Sequence, residues 1–177
     1  MVTRPRAIVT GSSSGIGAAI SRRLLADGWR VDGWDLAPPG IRHGWFAAQA
    51  VDLRDVPAIP DQVMAAMAFG PLQALVHAAG LLRTGELGAL AHDDALPMWQ
   101  LHVHAATALA QGVLPAMRAA GQGRVVLIGS RVWRGLAGRS QYAATKAALV
   151  SLSRSWAAEV VDRGVTVNVI SPAATDT

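Results

Sequence analysis

Along the chain, short runs rich in β-branched and other apolar residues alternate with longer Ala- and Leu-rich stretches whose apolar positions recur at helical spacing. The short runs predict six strands, at residues 7–10, 30–35, 46–52, 74–77, 124–128 and 165–170. The longer stretches predict four helices, at 16–26, 56–68, 94–119 and 140–161. Strands alternating with helices, apart from the consecutive pair 30–35 and 46–52, are the mark of repeated strand-helix-strand units and of an α/β fold with a parallel sheet. Within 94–119, Pro97 is expected at a helix start and Pro115 at a last-turn kink or stop, because proline lacks the backbone donor a helix interior uses. In 140–161, Ala144, Ala147, Ala148, Ser151, Leu152 and Ser155 recur as one flat face of small or apolar residues. "APPG" at 37–40 reads as a turn, and no repeat, linker or low-complexity tract divides the chain.

A length of 177 residues is then most simply one domain, 1–177, able to bury its own core. Hydrophobic residues make up 51% and charged ones 16%, far from the polar composition of a disordered chain. Cysteine is absent, which excludes a disulfide framework and a thiolate metal site; no metal is expected, and a reducing cytoplasm is the expected setting. Apolar runs such as "VVLI" at 125–128 fall far short of the roughly 20 residues of a membrane helix. The N-terminal "MVTRPRAIVTGSSSGIG" breaks into Gly and Ser too soon for a signal-peptide core, so no membrane association is expected. The net charge of +4 and a pI near 10.9 raise nucleic acid as a partner. The arginines are scattered, however, and the densest group, Arg131, Arg134 and Arg139, interleaves only Trp133, so no stacking platform forms and no nucleic-acid partner is expected.

The stretch "AIVTGSSSGIGAAISRRLL" reads as a buried strand, a Gly/Ser turn and an amphipathic helix, the order a dinucleotide site requires. Gly11 lets the chain leave the strand tightly, Gly15 lets backbone amides approach a pyrophosphate, and Gly17 lets the helix pack close to the sheet. The spacing is G-x-x-x-G-x-G, which on its own also fits a plain glycine-rich helix entry. Asp35 ends the next strand, 18 residues after Gly17, where a carboxylate can accept from a ribose 2′-hydroxyl and repel a 2′-phosphate, or simply cap a turn. Neither Ser14 nor Leu36 supplies a cation for a 2′-phosphate, so NAD is expected in preference to NADP.

"QYAATK" holds the only tyrosine, Tyr142, and the only lysine, Lys146; the other 15 basic residues are arginine. On a helix these two share a face about 6 Å apart along the axis. An ammonium within about 4–6 Å favours a phenolate by roughly 1–3 pKa units, which would let Tyr142 trade a proton in alcohol–ketone interconversion. Ser130, at the end of strand 124–128, could hold the carbonyl oxygen, since ligands of open α/β sheets gather at the carboxyl ends of strands. A helix-surface pair without consequence is the competing reading of Tyr142 and Lys146.

Taken together, "TGSSSGIG" at 10–17, Asp35, "VDL" at 51–53, "AAG" at 78–80, Ser130, "YAATK" at 142–146 and "GVTVNVISP" at 164–172 resemble the short-chain dehydrogenase/reductase superfamily over about residues 7–177. The resemblance implies a Rossmann-like, doubly wound parallel sheet of about six strands with helices on both faces. It implies that Gly11, Ser13, Ser14, Gly15, Ile16 and Gly17 hold the dinucleotide, that Asp52 and Leu53 contact the adenine, and that Ala78, Ala79 and Gly80 pass beside the cofactor. Ile170 and Pro172 would lie near the nicotinamide. Tyr142 would be the acid/base, Lys146 would lower its pKa and hold the nicotinamide ribose, and Ser130 would orient the substrate oxygen.

Three departures from the family pattern stand out. The family's usual Asn-Asn-Ala-Gly is His77, Ala78, Ala79 and Gly80 here. His102, in "WQLHVHAA", takes a position that is usually an Asn serving the proton relay through a bound water; an imidazole could hold that water or merely fill polar space. The sequence ends at "SPAATDT", where relatives continue into a substrate-covering segment, another helix and a seventh strand, so the chain is expected to be incomplete, with strand 165–170 an open sheet edge.

The function expected is an NAD-dependent oxidoreductase moving hydride between nicotinamide and a small-molecule secondary alcohol or ketone. "AAGLLRTGEL" and "SPAATDT" are weakly similar to 2,3-dihydro-2,3-dihydroxybenzoate dehydrogenases. The alternatives are a 3-oxoacyl-carrier-protein reductase, disfavoured by Asp35, a non-catalytic NAD-sensing protein, and a basic RNA-binding module. Helix 140–161 is expected to pair with its copy in a homodimer or homotetramer.

Overall fold

Strand β1 (Arg6–Thr10) is buried at every position, as its unbroken apolar run demands of a strand covered on both faces. In the computed structural model of the protein, which describes residues 4–175, it lies near the middle of a six-stranded parallel sheet. The others are β2 (Arg30–Asp35), β3 (Phe46–Ala50), β4 (Ala74–His77), β5 (Gly123–Ile128) and β6 (Val165–Ile170), in the order β3-β2-β1-β4-β5-β6. The winding direction reverses between β1 and β4, with Thr10 level with Trp34 on one side and His77 on the other. A crevice opens outside the carboxyl ends of the strands at such a switch point.

Side chains alternate across the sheet, and this decides which helix each strand residue meets. Val9, Val31 and Val76 face helix α1 (Gly15–Ala26) and its Leu25. Ile8, Leu75, Val125 and Leu127 face the opposite layer. That layer is built from α2 (Ile59–Met67), α4 (Ala105–Ala120) and α5 (Ser140–Val160), which contribute Ile59, Leu109 and Leu149. Both faces of the sheet are therefore covered, as the doubly wound fold requires. At the edge, the alternate residues Thr166, Asn168 and Ile170 of β6 are exposed. Among the described residues, no helix is long and apolar enough to cross a membrane.

The structure departs from the sequence reading in three places. Strand 46–52 stops at Ala50, because Val51 and Leu53 turn into the core while Arg54 N–H closes a turn on Asp52 Oδ1 at 2.9 Å. Segment 56–68 opens with a 3-10 turn, Val56–Ala58, before α2 begins. The long 94–119 segment is divided: a 3-10 turn (His92–Asp94) leads into the short helix α3 (Ala95–Trp99), a π-helical segment (Gln100–His104), and then α4. Pro97 stands near the start of α3, but Pro115 does not end α4, which runs on to Ala120 and stops at Gly121 with φ +68°. Proline forfeits one helical hydrogen bond, and the burial of Val113 and Met117 on either side of it keeps the helix intact. The π-helical segment inserts one extra residue per turn, a feature common at functional sites, and it buries His102 completely.

Candidate active site

The turn between β1 and α1 accepts no side chain at its tight points. Gly11 has φ +66°, and a Cβ there would stand 2.8 Å from backbone atoms of Ala79. A Cβ on Gly17 would lie 2.1 Å from the Gly11 carbonyl oxygen. The turn therefore lets the main chain press against the loop after β4, and it leaves the N-terminus of the 12-residue helix α1, with no acidic residue in its first turn, facing a cleft. The free amides of such a helix start fit a pyrophosphate. The cleft, about 500 Å³ in volume, follows the carboxyl edge of the sheet.

Asp35, Asp52 and Leu53 line it at the β2–β3 end; Gly11, Ser14, Gly15, Ile16 and Gly17 line the centre with Ala78, Ala79 and Gly80. Ser130, Tyr142, Lys146 and Pro172 line it at the β5–β6 end. Asp35 caps the turn, its carboxylate accepting from the Ser13 and Ala37 amides at 3.0 Å each, and it also borders the cleft. Ser13, expected at the cofactor, is not on the cleft wall; its hydroxyl donates to the Ala37 carbonyl at 2.8 Å and shapes the turn. Asp52 is bonded to the Arg54 guanidinium at 2.9 Å, which holds its carboxyl below the ordinary value.

A buried network stands behind the central wall. Thr10 Oγ1 accepts from the Ala78 and Ala79 amides at 3.1 Å each and lies 3.0 Å from His77 Nδ1. His77 Nε2 is 3.0 Å from the Leu101 carbonyl oxygen, so that nitrogen bears the ring proton and Nδ1 accepts from the Thr10 hydroxyl. Burial, then the charge of Lys146, pushes the His77 pKa down to about 4. His102 is also off the cleft wall, with Nε2 2.9 Å from the Leu81 nitrogen and Nδ1 2.8 Å from Thr145 Oγ1.

At the β5–β6 end, Ser130 follows β5 in extended conformation and caps the 3-10 turn Arg131–Arg134, accepting from the Val132 amide at 3.4 Å. Tyr142 and Lys146 stand one turn apart in α5, on one face as their spacing predicts, with Lys146 Nζ 5.6 Å from the Tyr142 ring centre. Lys146 is not among the groups that act most on the Tyr142 phenol. Burial raises the phenol above its ordinary value, and the groups opposing burial are the Ser130 hydroxyl and then the Arg139 guanidinium. The ammonium is turned instead to the Ile128 carbonyl, at 2.9 Å, and burial pushes its own pKa down to about 8.

Sequence reasoning missed Thr10, Arg54, Arg139 and Thr145 as members of this site. Thr10 and Thr145 lie inside the motifs "TGSSSGIG" and "YAATK", but their partners are 67 and 43 residues away, beyond what local spacing reveals.

Residues 5–177 match the sequence pattern described as short chain dehydrogenase. The chain is 34% identical to a Salmonella typhimurium 3-oxoacyl-acyl-carrier-protein reductase, over 94% of this chain and 71% of the relative. It is also 34% identical to an Escherichia coli 2,3-dihydro-2,3-dihydroxybenzoate dehydrogenase, over 96% of this chain and 68% of the relative. Its fold superposes with a TM-score of 0.88 on a blue fluorescent protein from a metagenomic library, solved in complex with NADPH, at 34% identity over 98% of this chain and 75% of that one. A glycine-lined crevice at a sheet reversal, a Ser, Tyr and Lys at its far end, and these likenesses over nearly the whole sequence lead to one assignment: the chain belongs to the short-chain dehydrogenase family.

Proposed function

We propose that the protein is an NAD-dependent oxidoreductase that moves hydride between nicotinamide and a secondary alcohol or ketone, with Tyr142 as general acid and base. The observation that carries this reading is the convergence of Ser130, Tyr142 and Lys146 at one end of a cleft whose centre is the glycine turn and the N-terminus of α1. The bound nicotinamide would supply or accept the hydride. The turn Gly11–Gly17 and the α1 amides hold the pyrophosphate, Asp35 accepts from a ribose hydroxyl, and Lys146 holds the nicotinamide ribose. Ser130 donates to the substrate oxygen. Tyr142 gives its proton to that oxygen as a ketone is reduced, or takes it as an alcohol is oxidised. Because burial raises the phenol pKa, Tyr142 is protonated at neutral pH, the form that ketone reduction needs.

A specific observation favours NADP as the second reading: the relative solved with NADPH, together with Arg54, a cation on the wall at the Asp35 end. Asp35 favours NAD, because its carboxylate would face a 2′-phosphate. Steady-state hydride transfer with NADH and NADPH, against ketones that include a 3-oxoacyl thioester, and in reverse against alcohols that include a cyclic diol, decides both cofactor and substrate class. A larger kcat/KM with NADH bears the proposal out, and a larger value with NADPH transfers the assignment. Cofactor binding without turnover on any substrate would make the protein a sensor. The exposed Ala144, Ser151 and Ser155 on α5 support pairing of two copies through this helix, which light scattering would detect. The cysteine-free sequence supports a cytoplasmic setting.

A further inference from the structure

Of the five histidines, His102 is fully enclosed, and both of its ring nitrogens are committed. The Leu81 amide reaches Nε2 at 2.9 Å, and because a backbone N–H can only donate, Nε2 is the acceptor and carries no proton. The ring proton is then on Nδ1, which donates to Thr145 Oγ1 at 2.8 Å. The Thr145 hydroxyl in turn donates to the Tyr142 carbonyl at 2.8 Å. Every bond from the Leu81 amide to the Tyr142 backbone thus has a fixed direction. This tautomer is the opposite of the one His77 adopts against the Leu101 carbonyl.

The ring also touches the groups of the proposed reaction. It stands edge-on to the Tyr142 ring, with centroids 5.6 Å apart and planes at 81°. A Cβ on Gly80 would meet Nε2 at 3.4 Å and Lys146 Nζ at 3.8 Å, so the glycine lies against both. The groups facing the imidazole are Tyr142, Thr145 and Lys146 from α5, His77 from β4, and the backbone of Gly80 and Leu81; none is a carboxylate. A second ring proton would meet an N–H head-on beside an ammonium. Burial, then Lys146, then His77 accordingly push the His102 pKa down to about 2.

We propose that His102 is a positioning residue that stays neutral and relays no proton: Nε2 anchors the Gly80–Leu82 wall of the cleft, while Nδ1, through Thr145, anchors the first turn of α5 with Tyr142. Both nitrogens being occupied, neither is free to hold a relay water. The inference rests on the oxidoreductase reading of the cleft for its consequence, though not for its geometry.

Two measurements test it. The first is nitrogen-15 NMR of histidine-labelled protein without cofactor, which judges His102 whether or not the cleft transfers hydride. The expected spectrum has one buried histidine protonated on Nδ1 and another on Nε2, with the His102 signals unchanged between pH 8 and pH 5. A His102 signal that titrates near the ordinary histidine value, or that reports a proton on Nε2, overturns the proposal. The second separates the two anchors, using the reach of amide side chains: asparagine places its amide where Nδ1 lies, glutamine where Nε2 lies. His102→Gln keeps the Leu81 acceptor and lowers kcat about tenfold with a smaller change in NADH affinity; His102→Asn keeps the Thr145 donor and weakens NADH binding about tenfold with a smaller change in kcat. Loss of an ionisation from the pH–rate profile in both variants would instead mark His102 as a proton carrier and overturn the proposal.

Discussion

Lys146 Nζ donates to the Ile128 carbonyl at 2.9 Å while standing 5.6 Å from the centre of the Tyr142 ring. The ammonium is thereby held at the junction of β5 and α5, beside the phenol without bonding to it. This arrangement stores an electrostatic cost. Among the described residues the ammonium has no carboxylate partner; a buried cation in that position is expensive, and the lowered Lys146 pKa is the signature of that expense.

Replacing Lys146 should therefore stabilise the protein while stopping turnover. A depressed lysine pKa means that the unfolded chain binds the extra proton between about pH 8 and pH 10.5, so native stability rises with pH across that window. Lys146→Met removes this dependence. Its advantage, up to about 3 kcal/mol at pH 7 from the size of the shift, should shrink towards zero above pH 10.5, as read by thermal melts over pH. A less stable variant at pH 7 would show that the Ile128 bond outweighs the burial cost.

Because Tyr142 is the only tyrosine, ultraviolet titration of the protein reads its ionisation without interference from another phenol. The midpoint should lie above the ordinary tyrosine value, for burial is the largest influence on it. Arg139→Gln should move the midpoint further up, since the guanidinium favours the phenolate. A downward movement would place Arg139 outside the field felt by Tyr142.

Acid should weaken the fold through its two buried histidines. Their folded pKa values, about 4 for His77 and about 2 for His102, lie below the unfolded 6.5, so the unfolded state binds more protons once the pH drops under 6.5. Stability should then fall with decreasing pH by up to about 1.4 kcal/mol per pH unit for each histidine. Denaturant midpoints measured from pH 7 to pH 5 should show a slope that is roughly halved in His77→Gln.

Gly17→Ala should strike fold and cofactor together. Its Cβ would stand 2.1 Å from the Gly11 carbonyl oxygen, which forces α1 away from the turn. Overpacking of this kind costs about 1–3 kcal/mol or more, and NADH affinity should fall at least about tenfold in fluorescence titrations. Unchanged affinity would remove the turn from the cofactor site.

Much of this site is legible in the residues themselves. The buried strands announce themselves as unbroken apolar runs, Gly11, Gly15 and Gly17 mark the turn, and the lone Tyr142 and Lys146 declare a helical face. What escapes is set by tertiary contact. A π-helical insertion at Gln100–His104 has the same apolar rhythm as an α-helix, and Pro115 is tolerated only because the core holds its neighbours. The ammonium of Lys146 finds a carbonyl 18 residues back in the chain, and this partner, unlike the spacing to Tyr142, appears only once β5 and α5 pack. The pKa of Tyr142 is accordingly governed by burial, which local sequence does not display.

Hydride transfer by Tyr142→Phe is the measurement closest to the central assignment, because the change removes one hydroxyl and leaves the ring packed against His102. NADH binding should persist within a few fold while kcat falls about 10²–10⁴-fold, the contribution of a positioned acid/base. Turnover at the original rate, with NADH bound as before, would contradict the role given to this phenol.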